Sequence, residues 1–190
     1  MTLLSAPADT TENNGNGLPN IERLREPVAR GETRAEPWRR QQLKAMRQLL
    51  DQHQDDILDA LHADLGKPPT EGMVEVLALR QELKLCDRLL RRWMRPRKVT
   101  VPLPLQPGQA EVIREPLGCV LIIGPWNYPC HLTLQPLISA LAAGNTAVVK
   151  PSEHAPATAA LIERLLQKTF DRDVVQVVQG DGGTAAALVD

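Results

Sequence analysis

No one sign of charge prevails in this chain: 22 lysines and arginines stand against 23 aspartates and glutamates, for a formal charge of −1. Without a net basic field there is nothing to hold a phosphate backbone, which excludes nucleic-acid binding as a function class. The densest basic stretch, residues 91–98 (RRWMRPRK), reads as the solvated end of a helix. Long apolar runs are missing too, none approaching the roughly 20 residues that a membrane-spanning helix needs. The first residues lack a basic start followed by an apolar segment, so no secretory signal is expected. Cysteine is scarce and odd in number: Cys86, Cys119 and Cys130 are widely spaced in apolar surroundings. That pattern fits a reducing, cytoplasmic setting better than a disulfide framework. His53 and His62 stand near Asp55, Asp56 and Asp64, but such groups on a helix exterior are ordinarily solvated, and no metal site is expected.

What remains is an ordinary globular composition, 190 residues with 43% hydrophobic content. It is organised around residues 115–153, EPLGCVLIIGPWNYPCHLTLQPLISALAAGNTAVVKPSE. Residues 120–123 and 146–149 are apolar, β-branched runs closed by Gly124-Pro125 and Lys150-Pro151, and both read as fully buried strands. Residues 132–143, apolar on every face and stopped by Gly144-Asn145, read as the helix between them. A crossover of that length makes the two strands parallel, and the unit βαβ. In such a sheet, ligands bind just past the carboxyl ends of the strands. The polar residues there are Trp126, Asn127 and Tyr128 after the first strand, and Lys150, Ser152 and Glu153 after the second.

The flanks extend the pattern. Residues 1–20, rich in Thr, Asn, Gly and Pro, read as a disordered leader. Residues 21–95 read as helices packing on the later domain. The first is short, capped by Asn20, with Ile21, Leu24 and Val28 on one face. The second is a single long amphipathic helix over residues 33–65, marked by Leu43, Met46, Leu50, Ile57, Leu61 and Leu65. The third begins at Thr70-Glu71, with Met73, Val76, Leu77, Leu83, Cys86, Leu90 and Trp93 as its buried stripe and Glu71, Glu75 and Glu82 at the surface. Within 96–115, the proline-rich residues 99–105 and then 109–114 read as a ribbon of edge strands that cannot be self-sufficient. Residues 116–190 continue β-α-β-α-β-α, with a helix opening at Pro156 and a third buried strand at 174–178. The fold class expected is α/β, an incomplete Rossmann-like doubly wound parallel sheet preceded by long helices and a β-ribbon. GDGG at residues 180–183 can admit a phosphate but lacks GxGxxG spacing, and a simple tight turn explains it equally well.

EPLGCVLIIGPWNYP followed by AAGNTAVVKPSE resembles the aldehyde dehydrogenase superfamily. The resemblance is closest to its class-three or fatty aldehyde branch, which acts on medium- and long-chain or aromatic aldehydes. It runs from about residue 21 to the end and covers the first part of such an enzyme. By that resemblance the chain is part of an NAD(P)-dependent enzyme oxidising aldehydes to carboxylic acids through a cysteine thiohemiacetal and thioester. Asn127 is the expected oxyanion donor, although a lone Asn in a turn is more often a local backbone cap. Tyr128 would line the aldehyde tunnel. Lys150 and Glu153 would grip the adenosine ribose, together with Ile123, Pro125, Trp126, Ser152 and Gly180, although unaided they read as a surface salt bridge. The Glu153 carboxylate disfavours a 2′-phosphate, so NAD is the expected cofactor, with NADP left open by Lys150. The ribbon at 96–115 would be an oligomerisation arm pairing across a homodimer. The family's base-bearing Glu-Leu-Gly-Gly-Lys and nucleophile-bearing Gly-Gln-x-Cys segments do not occur in these residues. The chain is therefore expected to lack the catalytic domain, and its alternative is a shortened, non-catalytic nucleotide-binding or dimerisation product. Cys130 is expected to be a buried, inert thiol.

Overall fold

The computed structural model describes residues 18–189. The expected leader falls almost wholly outside them. Its last three residues are docked: Leu18 makes a single β-bridge, Pro19 is buried, and the Asn20 backbone N–H donates to Gln176 Oε1 at 3.1 Å. Asn20 also caps α1 (Ile21–Ala29), its Oδ1 accepting from the Arg23 N–H at 3.1 Å, as its residue type favours.

The single helix expected over 33–65 is instead a 3-10 turn, Glu32–Arg34, then α2 (Glu36–Gln52) and α3 (Gln54–Leu65). His53 bends the chain between the two helices, at φ −122° and ψ 24°. The cause is legible in the stripe itself. Between Leu50 and Ile57, positions 53 and 54 would face the core in a straight helix, and they carry His and Gln. With nothing apolar to bury there, α2 keeps to α4 and α5 while α3 turns onto α6.

The next helix, α4 (Pro69–Met94), starts on a proline, whose missing N–H costs nothing at that position. Its buried stripe is Gly72, Glu75, Val76, Leu79, Leu83, Cys86 and Leu90, stepping by threes and fours. Leu77 and Trp93, expected in that stripe, are 47% and 36% exposed. Leu77 lies off the line of the stripe, one residue and so about 100° beyond Val76, whereas Trp93 continues that line three residues past Leu90, in the last turn of the helix. Glu75, expected at the surface, is fully buried.

The ribbon pairs β1 (Arg97–Val99) antiparallel with β2 (Ala110–Val112), Arg97 opposite Val112. The first strand thus ends where the sequence suggested it would begin. The prolines that follow remove N–H donors and admit a 3-10 turn, Leu103–Leu105, in place of a ladder. Both strands are exposed, and so are Leu103, Leu105 and Ile113 beside them.

The sheet runs β3 (Cys119–Ile123), β4 (Thr146–Lys150), β5 (Val175–Val177), parallel and in that order. On one face α5 (His131–Ala142) and α6 (Pro156–Thr169) cover Ile122, Ala147 and Val149 in the main core. On the other face Leu24 of α1 meets Val148 and Val178, with Cys119 and Leu188 of α7 (Gly182–Val189) packed alongside. Helices on both faces make the arrangement doubly wound and Rossmann-like. All of β4 is buried, as expected of a central strand. β3 is not: Leu121 and Ile123 are 37% and 47% exposed, because β3 lies at the edge of the described sheet and α1 covers only its beginning.

Long-range polar contacts set the helices around this sheet. Asp64, expected to be solvated, caps α6 by accepting from the Ala157 and Thr158 N–H groups at 2.9 and 2.7 Å. The buried Arg39 donates to the carbonyls of Thr33 (3.0 Å) and Ala142 (3.3 Å), closing the end of α5. Asn145 Oδ1 accepts from the Leu117 and Gly118 N–H groups at 2.7 and 3.1 Å, fixing the entry to β3.

Candidate functional site

The turns that leave β3 and β4 begin side by side. Ile123 is the register partner of Lys150, and the Gly124 N–H donates to the Lys150 carbonyl at 2.9 Å. Gly124 is a requirement of packing: a Cβ there would overlap Thr133 Oγ1 of α5. The turn can therefore leave the strand close beneath the helix and carry residues 125–130 across the carboxyl edge of the sheet.

Along that edge Pro125, Trp126, Asn127 and Tyr128 are exposed, Trp126 by 54% and Tyr128 by 42%. The Asn127 carboxamide has no hydrogen-bond partner among the described residues, so it is not a local backbone cap. Its backbone, in contrast, is held. The Lys67 ammonium donates to the Asn127 carbonyl at 3.1 Å and lies 4.1 Å from the centre of the Tyr128 ring. Lys67 also pairs at 2.5 Å with Glu75, whose second oxygen accepts from the His131 N–H, the first residue of α5, at 2.9 Å. Neither Lys67 nor Glu75 was legible as part of a site. Their types resemble those of any exposed helix end, and only a contact with a turn some 60 positions later singles them out.

At the end of β4, Lys150 is 2% exposed and donates to Glu153 Oε2 at 2.8 Å and to the Pro151 carbonyl at 3.3 Å. The Lys150 hydrogen bond, seconded by a backbone N–H, holds the Glu153 carboxyl below its ordinary range, so it is ionised at neutral pH. Ser152 is buried and its Oγ accepts from the His154 N–H at 3.2 Å. The salt bridge that the residues alone suggested is thus present, with its lysine end buried in the sheet and its carboxylate facing outward. Ile123 and Leu121 lie on the same side of the ladder as Lys150, and their exposure leaves an apolar surface beside it. A carboxylate acceptor and an apolar surface suit the hydroxyls and base of an adenosine, and these residues fit a dinucleotide cofactor.

Gly180 follows β5 at φ 152°, and a Cβ there would overlap Thr184 Oγ1. Asp181 Oδ1 accepts from the Gly183 and Thr184 N–H groups at 2.9 and 3.1 Å, so a phosphate at this helix start would have to displace that carboxylate.

The thiols stand apart from this chemistry. Cys130 is 1% exposed, and burial, with Glu75 nearby, pushes its pKa far above the ordinary value. Burial and then Glu82 push Cys86 up to about 12, and burial raises Cys119. Iodoacetamide at about pH 8, near the ordinary thiol pKa, should leave Cys86 and Cys130 of the folded protein unmodified until denaturant is added. Peptide mass mapping reads this, and rapid native labelling of Cys130 would restore it as a candidate nucleophile. Among the described residues no group of His, Cys, Asp and Glu could hold a metal, and no helix is long and apolar enough to cross a membrane.

Residues 30–190 match the model of the aldehyde dehydrogenase family. Aldehyde dehydrogenase family 3 member H1 of Arabidopsis thaliana is 43% identical over 171 residues, which are 90% of this chain and 35% of that protein. The 4,4'-diaponeurosporen-aldehyde dehydrogenase of Staphylococcus aureus is 40% identical over 144 residues, 75% of this chain and 31% of the relative. Among solved structures, the substrate-bound state of Staphylococcus aureus AldH superposes with a TM-score of 0.85 at 36% identity, covering 88% of this chain and 37% of that one. A succinic semialdehyde dehydrogenase from Streptococcus pyogenes, solved with NADP+, shares the fold at 17% identity and a TM-score of 0.76, over 98% of this chain and 40% of its own. The chain spans about a third of the length of the curated relatives it matches. A doubly wound sheet with an exposed amide and a lysine–carboxylate pair at one edge, and a family match over nearly all of it, lead to one assignment: the chain belongs to the aldehyde dehydrogenase family.

Proposed function

We propose that this chain supplies the oxyanion amide and the adenosine side of the cofactor site in an NAD(P)-dependent aldehyde dehydrogenase. The observation that carries the reading is the Asn127 carboxamide. It is exposed, unpartnered among the described residues and fixed at its backbone, on the turn after β3, whose neighbour β4 ends at Lys150 just before Glu153. In the reaction, an aldehyde carbonyl attacked by a cysteine thiolate becomes a thiohemiacetal, and Asn127 donates a hydrogen bond to its developing oxyanion. Pro125 and Pro129 restrict the turn that aims the amide. Tyr128 lines the path of the aldehyde. Glu153 accepts from the ribose hydroxyls, Lys150 holds that carboxylate in place, and Ile123, Pro125, Trp126, Ser152 and Gly180 complete the surround. The bound cofactor supplies the hydride acceptor. None of Cys86, Cys119 and Cys130 is the nucleophile, so it and the general base belong to other residues of the full-length protein, and the 190-residue chain alone is inactive.

NAD is the preferred cofactor, because the outward Glu153 carboxylate repels a 2′-phosphate. NADP is the second choice: a neighbour of the same fold was solved with NADP+, and the Lys150 ammonium offsets part of the carboxylate's repulsion. The substrates are medium- or long-chain or aromatic aldehydes, and the free thiols, Cys86 and Cys130 buried and Cys119 partly so, suit a cytoplasmic enzyme. The exposed apolar ribbon, with Leu103 at 85% and Ile113 at 62%, suits an arm that pairs in a homodimer. The test is aldehyde-dependent formation of NADH by the full-length protein, with the 190-residue chain assayed beside it. Turnover by the full-length protein alone supports the reading. No turnover with any aldehyde of these classes, or turnover by the short chain, refutes it.

A further inference from the structure

Lys67 and Glu75 are 7% and 0% exposed, and each carries a charge that water would otherwise solvate. Desolvating such a pair is costly unless its remaining hydrogen-bonding capacity is met. Here that capacity goes to one place. Beyond its partner, Lys67 contacts the Asn127 carbonyl and the Tyr128 ring, and Glu75 accepts from the His131 N–H. The two partners are only eight residues apart, so the salt bridge itself ties no distant elements together. The ties it does make, across 60 and 56 positions, end on the turn that carries the amide and on the helix that follows it. No hydrogen bond among the described residues holds the Asn127 carboxamide itself, so its direction depends on the backbone it leaves, which Pro125 and Pro129 restrict and Lys67 ties down. Rotation of the peptide after Asn127 is the motion that the Lys67 bond opposes.

We propose that the buried Lys67–Glu75 pair is the positioning element of the oxyanion amide, clamping the turn at Asn127 and at His131 so that the carboxamide is held in line with the reacting carbonyl. This rests on the reading of Asn127 as the oxyanion donor. Neither Lys67 nor Glu75 touches substrate. They act through the Asn127 backbone, and a misplacement of about 1 Å at such a donor costs on the order of 100-fold in rate.

The test uses the full-length enzyme carrying Lys67→Met and Glu75→Gln together. That variant leaves no lone buried charge, and a Gln at position 75 can still accept from the His131 N–H. The pair change should leave NAD affinity and the aldehyde KM close to wild type and lower kcat about 10- to 100-fold. In an Asn127→Ala background the same change should lower kcat little further, because the group it positions is gone. Equal losses in the two backgrounds, with Asn127→Ala itself damaging, would overturn the positioning role while leaving the oxyanion assignment standing. Wild-type kcat in the pair variant would do the same. No loss from Asn127→Ala would instead overturn the oxyanion assignment, and the pair's role with it.

Discussion

In the full-length enzyme, Asn127→Ala should lower kcat by about 100- to 1,000-fold, or about 3 to 4 kcal/mol of transition-state stabilisation, while NAD affinity stays near wild type. The separation follows from where the groups stand. Asn127 is on the turn after β3, and its carboxamide makes no hydrogen bond to Lys150, Ser152 or Glu153. An amide that meets the carbonyl oxygen weakly in the ground state and strongly once charge develops acts on kcat rather than on binding. The backbone contacts that hold the turn, from Lys67 and to His131, do not involve the carboxamide, so the alanine variant keeps its fold. Single-turnover rates and cofactor titration check the two quantities separately. Matching losses in both would refute the assigned role, because they would mean that the residue supports the site as a whole.

Much of the edge on which this depends was legible in the sequence. Two β-branched runs closed by Gly-Pro and Lys-Pro, with a wholly apolar helix between them, imply a parallel pair, and β3 and β4 are that pair, with Ile123 opposite Lys150. Strand periodicity and crossover length suffice for this because they are local properties of the chain. What did not follow was whatever another part of the chain decides. Burial of β3 depends on how far α1 reaches along its face, and the reach falls short of Leu121 and Ile123. The bend at His53 is written in the sequence as a gap in the apolar stripe, but a gap of one turn in a long helix is ordinary, and only the position of α6 makes turning favourable. Asp64 looked like an exposed acid until its partners, 93 and 94 positions away, were known. Glu75 misled for the same reason. A carboxylate at a stripe position reads as a surface residue, since burying it is unfavourable without a cation, and the cation lies in the turn before the helix.

That burial makes the stability of this corner asymmetric. Lys67→Met alone leaves Glu75 with no access to water and no counter-charge, and it should destabilise the folded protein by about 3 to 5 kcal/mol. Replacing both partners, Lys67→Met with Glu75→Gln, removes the orphaned charge along with the attraction and should cost much less, since a neutral pair of similar volume avoids the desolvation of two ions. Denaturant midpoints of the transition that unfolds this region, followed for the wild type, the single variant and the pair variant, give the order. If the single variant were as stable as the pair variant, the ion pair would not be desolvated in solution, and the tie from Lys67 to the Asn127 carbonyl would lose its physical basis. The predicted order fits a part that positions rather than merely stabilises. Apolar residues could fill the same space at little cost in stability, but they could not donate to the carbonyl of residue 127 or accept from the N–H of residue 131.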